Sequence, residues 1–297
     1  MNRARDRRAP DMRRSWLFLP GSDRDALLGA SKGAADVLIQ ELEDFVPTAR
    51  KDEARRLAPE IVAAWKHDRR LAAVRINPLD QGGLADLEAA MTSGPDAVLL
   101  PKTGSPADVI ALAGEIDRLE RANRLAPGST EIVPNIETAR ALMQTYAIAR
   151  ASPRVVACLV ASEDMAADLG AERGPDASEL DYVRRRFLVE CRAAEVVAID
   201  CPYTFGDAAG LEADARFARR LGYVAKSAVA PGHCFVIDRV FTPSREERGR
   251  ARDIVDAFEA AKAKGMAQAR LGDTLIELPS YLNAMRLLER AKRLGAT

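Results

Sequence analysis

The sequence predicts an α/β protein, a (β/α)₈ TIM barrel with a C-terminal helical extension. Eight short apolar segments rich in β-branched residues recur along the first 231 residues. Segments with helical periodicity separate them, at a spacing of roughly 25 to 40 residues that is typical of repeated strand–helix units. A doubly wound open sheet is the alternative, but no G-x-G-x-x-G or P-loop motif follows any of the strand segments.

The predicted strands are bounded by turn or polar residues, a pattern typical of strands buried on both faces. Between them, apolar residues recur at intervals of three and four, as in DALLGASKGA after the first strand and SPADVIALAGEIDRLERAN after the fourth. In chain order the strands cover residues 15–20, 37–44, 72–77, 97–102, 131–138, 155–164, 196–202 and 223–231.

The alternation ends after Phe241. A charged helix over residues 243–265, a linking segment over 266–280 and a last helix over 281–295 follow. Because these elements are not needed to complete eight units, we expect them to cover the barrel mouth of their own chain or of a neighbour. The predicted parts are a flexible N-terminal arm (1–12), a catalytic barrel (13–242) and a helical extension for lid and oligomer contacts (243–297).

Composition and charge exclude several classes of protein. The 297 residues carry 44 Lys and Arg against 44 Asp and Glu, so no global basic field is available to hold nucleic acid. No apolar run approaches the ~20 residues of a membrane-spanning helix. The basic N-terminus has no apolar segment behind it, and the four cysteines form no C-x-x-C pair. We therefore expect a cytoplasmic protein with no nucleic-acid or membrane partner.

Catalytic side chains are limited, because the chain has only two histidines, His67 and His233. A multi-histidine metal site is excluded, and a histidine-based triad would depend on His233 alone. In a (β/α)₈ barrel the active site lies at the carboxyl-terminal ends of the strands. Polar side chains follow seven of the eight predicted strands there: Glu43, Asp44, Arg75, Asn77, Lys102, Glu137, Glu163, Asp164, Asp200, Lys226 and Ser227.

Several carboxylates at one barrel mouth repel each other unless a cation lies among them. Without histidine ligands, hard oxygen donors favour Mg²⁺ or Mn²⁺ in an octahedral site completed by water and substrate. The sequence therefore predicts a divalent-cation site at this end of the barrel. Lys102 and Lys226 allow another hypothesis, a Schiff base with a keto substrate, although the sequence shows no neighbour that would lower either pKa.

Nine short motifs follow one another in the order typical of one enzyme family. They are R-S-x-L-F-x-P-G from Arg14, L-E-D-x-V-P from Leu42, V-R-I-N from Val74, P-K from Pro101, I-E-T from Ile136, E-D-M-A-A-D-L-G from Glu163, D-x-x-G-L-E from Asp207, L-G-Y-x-x-K from Leu221 and F-T-P-S from Phe241. With these motifs the chain resembles the citrate lyase β-subunit and malyl-CoA/citramalyl-CoA lyase group of the HpcH/HpaI aldolase superfamily. The resemblance runs from about Arg14 nearly to the C-terminus.

The resemblance implies a carbon–carbon lyase. Glu137 and Asp164 would be the two protein ligands of Mg²⁺, with Mn²⁺ as a substitute, and Arg75 would hold the substrate carbonyl or carboxylate beside the ion. The implied reaction is the retro-Claisen cleavage of a 3-hydroxy-dicarboxylyl thioester such as citryl-, citramalyl- or malyl-CoA, or its reverse. The implied partners are an acyl-CoA or acyl-carrier thioester and a keto acid.

The resemblance also implies roles for residues around the substrate. Glu43 and Asp44 would order metal-bound water, and Arg14 would lie near the thioester or its phosphate-bearing tail. In the family the base is an aspartate of a C-terminal M-I-D-x-P-type segment, which often reaches the site of an adjacent subunit. Here T-L-I-E-L-P places Glu277 at that position, one methylene longer. A homo-oligomer, a homotrimer or hexamer, is therefore expected.

Departures from the family pattern cluster at the predicted mouth. Ala161 replaces a usual Gly, V-A-P at residues 229–231 replaces I-H-P, and Gln40 and Glu41 replace an apolar–Asp pair. They favour a divergent substrate, or a catalytically weak paralogue that binds a thioester. A metal-dependent aldolase on free 2-keto acids is a further alternative, which the lack of a well-placed histidine base disfavours. The alternative for Glu137 and Asp164 is a structural pairing with barrel arginines.

Overall fold

The barrel is closed. The computed structural model describes residues 7–296, and in it eight parallel strands pair in sequence order, with the last strand returning to the first. Ser15 of the first strand pairs with Lys226 of the eighth, which excludes the open sheet and confirms the predicted fold. The strands are β1 Ser15–Pro20, β2 Val37–Glu41, β3 Leu71–Arg75, β4 Ala97–Leu100, β5 Glu131–Ile136, β6 Ala157–Val160, β7 Val197–Asp200 and β8 Ala225–Ala228.

Helices follow the strands, and several begin at a residue whose side chain caps the helix. Ser105 and Asp108 form a capping box, Thr138 accepts from the backbone N–H of Ala141, and Asp207 accepts from that of Gly210. The helices of this part are α1 Arg24–Gly29, α2 Lys51–His67, α3 Gly83–Met91, α4 Pro106–Ala122, α5 Ala139–Leu142, α6 Thr145–Ala149, α7 Glu163–Leu169, α8 Asp181–Ala193, α9 Ala208–Leu221 and α10 Pro231–Phe241.

The interior of the barrel is filled by alternate residues of its strands, because successive side chains of a strand point to opposite faces. The buried cluster contains Trp16, Phe18, Val37, Ile39, Ala73, Ala97, Leu99, Val133, Ala157, Leu159, Ile199 and Ala225. The same alternation, continued to the strand ends, places Glu41 and Arg75 on the inward face. Asp200 and Lys226 follow inward-facing residues directly, so they face the surrounding helices.

The amino-terminal end of the barrel is held by ion pairs. Of the arm expected over residues 1–12, residues 1–6 lie outside the described part of the chain. Pro10–Met12 form a 3₁₀ turn in which Met12 is buried, and Arg13 donates to both carboxylate oxygens of Glu131 on β5, at 2.5 and 2.9 Å. The packed chain therefore begins before residue 13, the expected boundary.

The described residues form two compact units, divided between Asp238 and Arg239. In the second unit, α11 (Arg245–Lys262) and α12 (Leu278–Arg293) flank a hairpin of β9 (Ala269–Leu271) and β10 (Thr274–Ile276). The prediction that residues 266–280 form a plain link is therefore partly wrong. Gly272, at φ 58°, permits a two-residue turn between paired strands. Tyr281 stacks on Phe258 at 4.7 Å within this unit.

None of the helices described between residues 7 and 296 is long and apolar enough to cross a membrane.

Candidate active site

A fully buried carboxylate, Glu41 at the end of β2, organises the barrel mouth. Its Oε1 accepts from the backbone N–H of Glu43 at 2.5 Å, its Oε2 accepts from that of Phe45 at 2.5 Å, and Nε of Arg75 donates to Oε1 at 3.0 Å. One side chain thus fixes both the loop after β2 and the arginine of β3. The sequence pattern does not predict this role of Glu41, although its position two residues after inward-facing Ile39 is a usable signal.

Arg75 lies in a charged and aromatic cage and is 7% exposed. Its Nη1 is 3.4 Å from Oε2 of Glu43, and its guanidinium carbon lies 5.1 and 5.8 Å from the ring centroids of Phe18 and Phe45. Burial alone would lower the pKa of Arg75, but the Glu41 and Glu43 carboxylates raise it above its ordinary value. Among the described residues Nη2 has no hydrogen-bond partner, so one edge of the cation is available to a ligand.

Glu43, Asp44 and Lys102 form an ion-pair cluster beside Arg75. Nζ of Lys102 is 2.6 Å from Oε1 of Glu43 and 3.7 Å from Oδ1 of Asp44. Burial raises the pKa of Glu43, although Arg75 and Lys102 oppose this shift. The hydrogen bond to Glu43 raises the pKa of Lys102 above its ordinary value, whereas a nucleophilic lysine needs a lowered one. The Schiff-base hypothesis is therefore disfavoured at Lys102.

Lys102 also positions Glu137 through its backbone. Lys102 has a left-handed backbone, at φ 49°, and its N–H donates to Oε2 of Glu137 at 3.1 Å. Glu137 is 2% exposed, and its buried Oε1 has no hydrogen-bond partner among the described residues. Burial, followed by the charges of Asp164 and Glu43, raises the pKa of Glu137 to about 8. The charge of Arg75 opposes this shift, but among the described residues no cation lies within ion-pair distance of Glu137.

Asp164 lies in the first turn of a helix and lines the cavity at the barrel mouth. The sequence placed Asp164 at the end of the sixth strand, which was predicted too long: β6 ends at Val160, and α7 begins at Glu163. Acidic residues in the first turn of a helix are favoured by the helix dipole. The charge of Asp164 nevertheless contributes to the raised pKa of Glu137, so the two carboxylates predicted as partners repel each other electrostatically.

The Glu137–Asp164 pair fits a hard divalent cation. Glu137 presents an orphaned buried oxygen, and a cation between the two carboxylates would remove their mutual repulsion. Among residues 7–296, no group of three or more His, Cys, Asp or Glu side chains could hold an ion by itself. The protein would supply two carboxylate ligands, and water and substrate would supply the others.

A cavity of about 240 Å³ opens at this mouth. Arg75 and Asp164 both line it, which places the predicted substrate-holding arginine and a predicted metal ligand against the same space. The other lining residues are Phe18, Asp44, Phe45, Leu159, Ala161, Ser162, Glu163, Pro202, Thr204, Ser227 and Val229. The barrel thus brings together Glu43, Asp44, Arg75, Glu137 and Asp164.

Arg14 is not part of this group. It directly precedes β1, at the amino-terminal end of the barrel, whereas the site lies at the carboxyl-terminal end. There its Nε donates to Asp36 at 2.8 Å and its Nη2 donates to Asp238 at 3.0 Å. We therefore do not assign Arg14 to substrate binding, because a side chain at the start of a strand cannot reach the opposite mouth.

Two further residues at strand ends belong to a structural network between β7, β8 and the helices. Lys226 is fully buried; its Nζ lies 2.6 Å from Asp200 and 2.5 Å from Asp214, and Arg184 donates to both of these carboxylates. Burial lowers the pKa of Lys226, but Asp200 and Asp214 raise it above the ordinary value. The outward-facing Lys226 is therefore no Schiff-base candidate either.

Glu277 lies in the second unit, directly after β10 and at the N-terminus of α12. Its side chain is exposed, and Oε1 accepts a hydrogen bond from Nε2 of Gln268 at 2.9 Å. A solvent-exposed carboxylate at the start of a helix is accessible to a substrate or to a neighbouring chain.

Known proteins resemble the chain over nearly its whole length. Residues 14–231 match the sequence profile described as HpcH/HpaI aldolase/citrate lyase. Citrate lyase subunit beta of Escherichia coli (strain K12) is 33% identical over 285 residues, which cover 95% of this chain and 94% of that protein. The L-malyl-CoA/beta-methylmalyl-CoA lyase of Cereibacter sphaeroides is 30% identical over 306 residues, covering 95% and 96%.

The solved structures that resemble this chain carry names of the same kind as its sequence relatives. Protein CitE of Mycobacterium tuberculosis, in complex with magnesium, acetoacetate and coenzyme A, has a TM-score of 0.76 at 28% identity, covering 94% of this chain and 98% of that chain. A citrate lyase of Burkholderia xenovorans LB400 shares the fold, with a TM-score of 0.84 at 20% identity. On this sequence and structural evidence, the chain belongs to the HpcH/HpaI aldolase/citrate lyase family.

Proposed function

We propose that the protein is a Mg²⁺-dependent carbon–carbon lyase. It cleaves, or forms, a 3-hydroxy-dicarboxylyl thioester such as citryl-, citramalyl- or malyl-CoA, giving a keto acid and an acetyl thioester. The observation that carries this proposal is that Arg75 and the half-buried Asp164 line one cavity at the barrel mouth, within electrostatic range of the buried Glu137. The lyases among the relatives and the magnesium in the CitE structure support it.

Glu137 and Asp164 are the residues that would hold Mg²⁺, and Mn²⁺ could replace it. When bound, the ion supplies Lewis-acid stabilisation of the negative charge that develops on the reacting oxygens. Lys102 keeps Oε2 of Glu137 in place through its backbone N–H, whereas the buried Oε1 has no hydrogen-bond partner among the described residues. Glu43 and Asp44, held by Lys102, would orient water at the site.

Arg75 would bind the carboxylate or carbonyl of the keto-acid portion. Its Nε is committed to Glu41, and the rings of Phe18 and Phe45 flank the guanidinium, so the direction of its open edge is set before the substrate arrives. Arg75 itself is buried, which strengthens the attraction between the cation and an anionic ligand.

Glu277 would act as the base that takes the hydroxyl proton, in the site of an adjacent subunit. Leu278, Leu282 and Met285, which follow it along α12, are 53, 41 and 43% exposed at helical spacing. Such a stripe of exposed apolar side chains is suited to a contact between subunits. We therefore propose a homotrimer or hexamer as the working form.

The test is a product assay on the purified protein with Mg²⁺. Citryl-, citramalyl- and malyl-CoA are supplied separately, and the keto acid and acetyl-CoA are quantified, with and without EDTA. We expect both products in equal amounts from at least one thioester, and none with EDTA. Free CoA with an intact hydroxy acid would indicate a hydrolase instead.

The same assay includes free 4-hydroxy-2-keto acids. Cleavage of these compounds, with no cleavage of any thioester, would overturn the proposal in favour of a metal-dependent aldolase. Tight binding of a thioester without turnover would identify a catalytically weak paralogue.

A further inference from the structure

The loop after β2 is held from two sides. From the barrel interior, the carboxylate of Glu41 accepts from the backbone N–H groups of Glu43 and Phe45. From the surrounding helix α2, Nζ of Lys51 donates to the backbone carbonyls of Leu42, at 3.3 Å, and Glu43, at 3.1 Å. A buried anion and a cation of the helical layer therefore fix the same short piece of backbone.

Lys51 does not follow the usual charge pattern of a helix start. It is the first residue of α2, where the helix dipole disfavours a cation and favours acidic residues such as Asp52 and Glu53, which follow it. An ammonium has three N–H donors. Two of them go to the loop after β2, and the third goes to Oδ1 of Asn77 after β3. The contacts of Lys51, and not the helix, therefore explain why a cation stands at this position.

Asn77 connects Lys51 to the rest of the helical layer. The side chain of Asn77 is buried, and its Nδ2 donates to the carbonyl of Leu42 at 2.9 Å and to Oδ2 of Asp86 at 2.6 Å. The backbone N–H of Asn77 also donates to Oδ2 of Asp86, at 2.9 Å. Asp86 is fully buried on α3 and pairs with Arg55 of α2 at 2.8 Å. Lys51 thus joins the ends of β2 and β3 to two neighbouring helices.

The loop that Lys51 holds carries charges of the proposed active site. Oε2 of Glu43 is 3.4 Å from Nη1 of Arg75, and Asp44 lines the cavity at the barrel mouth. Lys51 is not among the residues that line this cavity. It can therefore influence a reaction there only through the backbone that it holds.

We propose that Lys51 is a positioning residue of the active site, whose ammonium fixes the loop after β2 so that Glu43 and Asp44 have the orientation that turnover requires. This inference rests on the proposed function, in which these two carboxylates orient water. Without Lys51, Nε of Arg75 still has Glu41 as its partner, and the two carboxylates proposed for the cation lie after β5 and in α7. Loss of Lys51 should therefore lower turnover more than it weakens binding.

The first test is Lys51→Met, which removes the ammonium and nearly keeps the length of the side chain. With the best thioester, kcat should fall by about tenfold or more, while KM and the affinity for Mn²⁺ change by less than about threefold. Lys66→Met is the matched control, because Lys66 lies near the other end of α2 and donates to the carbonyls of Ser93, at 3.3 Å, and Gly94, before β4. Equal kcat values in the two folded variants would overturn the inference and leave the lyase function intact.

Chemical rescue separates positioning from a general loss of stability. Lys51→Cys should be as slow as Lys51→Met, and alkylation of its thiol with bromoethylamine restores an ammonium at the same number of bonds from the backbone. The four native cysteines are buried, so the fold protects them from the reagent. Alkylation should raise kcat of Lys51→Cys by about fivefold or more and leave that of the wild type unchanged. No recovery in the folded, fully alkylated protein would contradict the proposal.

Hydrogen exchange measured by mass spectrometry tests the contact without a substrate. Lys51→Met should speed exchange of the backbone amides over residues 42–46 by about tenfold or more, because one of the two holds on this loop is lost. Lys66→Met should leave exchange over 42–46 unchanged. Unchanged exchange there in Lys51→Met would overturn the inference. If no thioester is cleaved by the wild type, the proposed function fails, and the exchange measurement still decides whether Lys51 holds the loop.

Discussion

Arg75 and Glu41 show how one residue sets the chemistry of another. Arg75 is a strand-end arginine in the sequence, but its orientation comes from a carboxylate 34 positions earlier that also holds the loop after β2. Glu41 itself is fully buried, so its negative charge would destabilise the folded protein if Arg75 were absent. The pair is therefore a positioning device, and the open edge of Arg75 is the part available for substrate.

The metal assignment is tested at Glu137 and Asp164. Glu137→Gln or Asp164→Asn should abolish Mg²⁺-dependent cleavage while the fold remains, because each amide keeps the shape and loses the charge that binds the ion. Steady-state assays with the best thioester, together with Mn²⁺ binding by electron paramagnetic resonance, check both effects. Glu172→Gln, at an exposed position, is the control. Wild-type turnover in either site variant would refute the assignment.

The burial of Glu137 also has a consequence for stability. Folding raises the pKa of this carboxyl from 4.5 to about 8 in the metal-free protein. Its contribution to stability is therefore complete below pH 4.5 and is lost as the pH rises through about 8. At about 1.4 kcal/mol per pKa unit, the loss is roughly 3 to 5 kcal/mol at pH 9.

Urea unfolding with EDTA measures this effect. The free energy of unfolding of Glu137→Gln relative to wild type should increase between pH 5 and pH 9, because the amide does not ionise. Glu172→Gln should show no such trend. If the difference in free energy of unfolding between Glu137→Gln and wild type were the same at pH 5 and pH 9, ionisation of Glu137 would not be the cause.

At the scale of elements, the hairpin and α12 present Glu277. β9 and β10 pair across a tight turn, and α12 begins immediately after Glu277. Because Glu277 directly precedes a helix, its backbone conformation is defined, which would not be so in a plain linking segment.

Glu277→Gln should lower kcat by at least ~100-fold if this carboxylate takes the hydroxyl proton. Glu277→Asp, which restores the residue typical of the family, should keep most of the activity, and Glu289→Gln on the exposed side of the same helix should keep all of it. The measurement is kcat at saturating thioester. A loss below threefold in Glu277→Gln would remove it from the mechanism.

At the scale of the whole molecule, the chain is expected to work as an assembly. The stripe of Leu278, Leu282 and Met285 lies beside Glu277 in sequence, and a shared site would couple turnover to association. Sedimentation velocity should find a trimer or a multiple of it. Leu282→Glu should lower both the assembly state and kcat, whereas Val189→Glu, at an exposed position of α8, should change neither. A fully active wild-type monomer would contradict the proposal.

Much of this protein could be predicted from local pattern. The eight strand segments and the helices between them depend on periodicities within a few neighbouring residues, and so does the placement of polar residues at strand ends. The closed barrel and the meeting of Arg75, Glu137 and Asp164 at one mouth follow from these patterns. The start of α7 at Glu163 and the hairpin around Gly272 were missed, because short elements carry weak periodic signals.

The sequence by itself thus determined the barrel and the supply of carboxylates, since both depend on local alternation and composition. Only the tertiary structure decided which strand-end charges lie at the barrel mouth and which pack elsewhere. Asp200 and Lys226 are paired outside the barrel, Arg14 is held at its opposite end, and Glu41 is directed at Arg75. These choices depend on contacts between residues far apart in the chain, and such contacts exist only after the barrel has closed and fixed which way each side chain points.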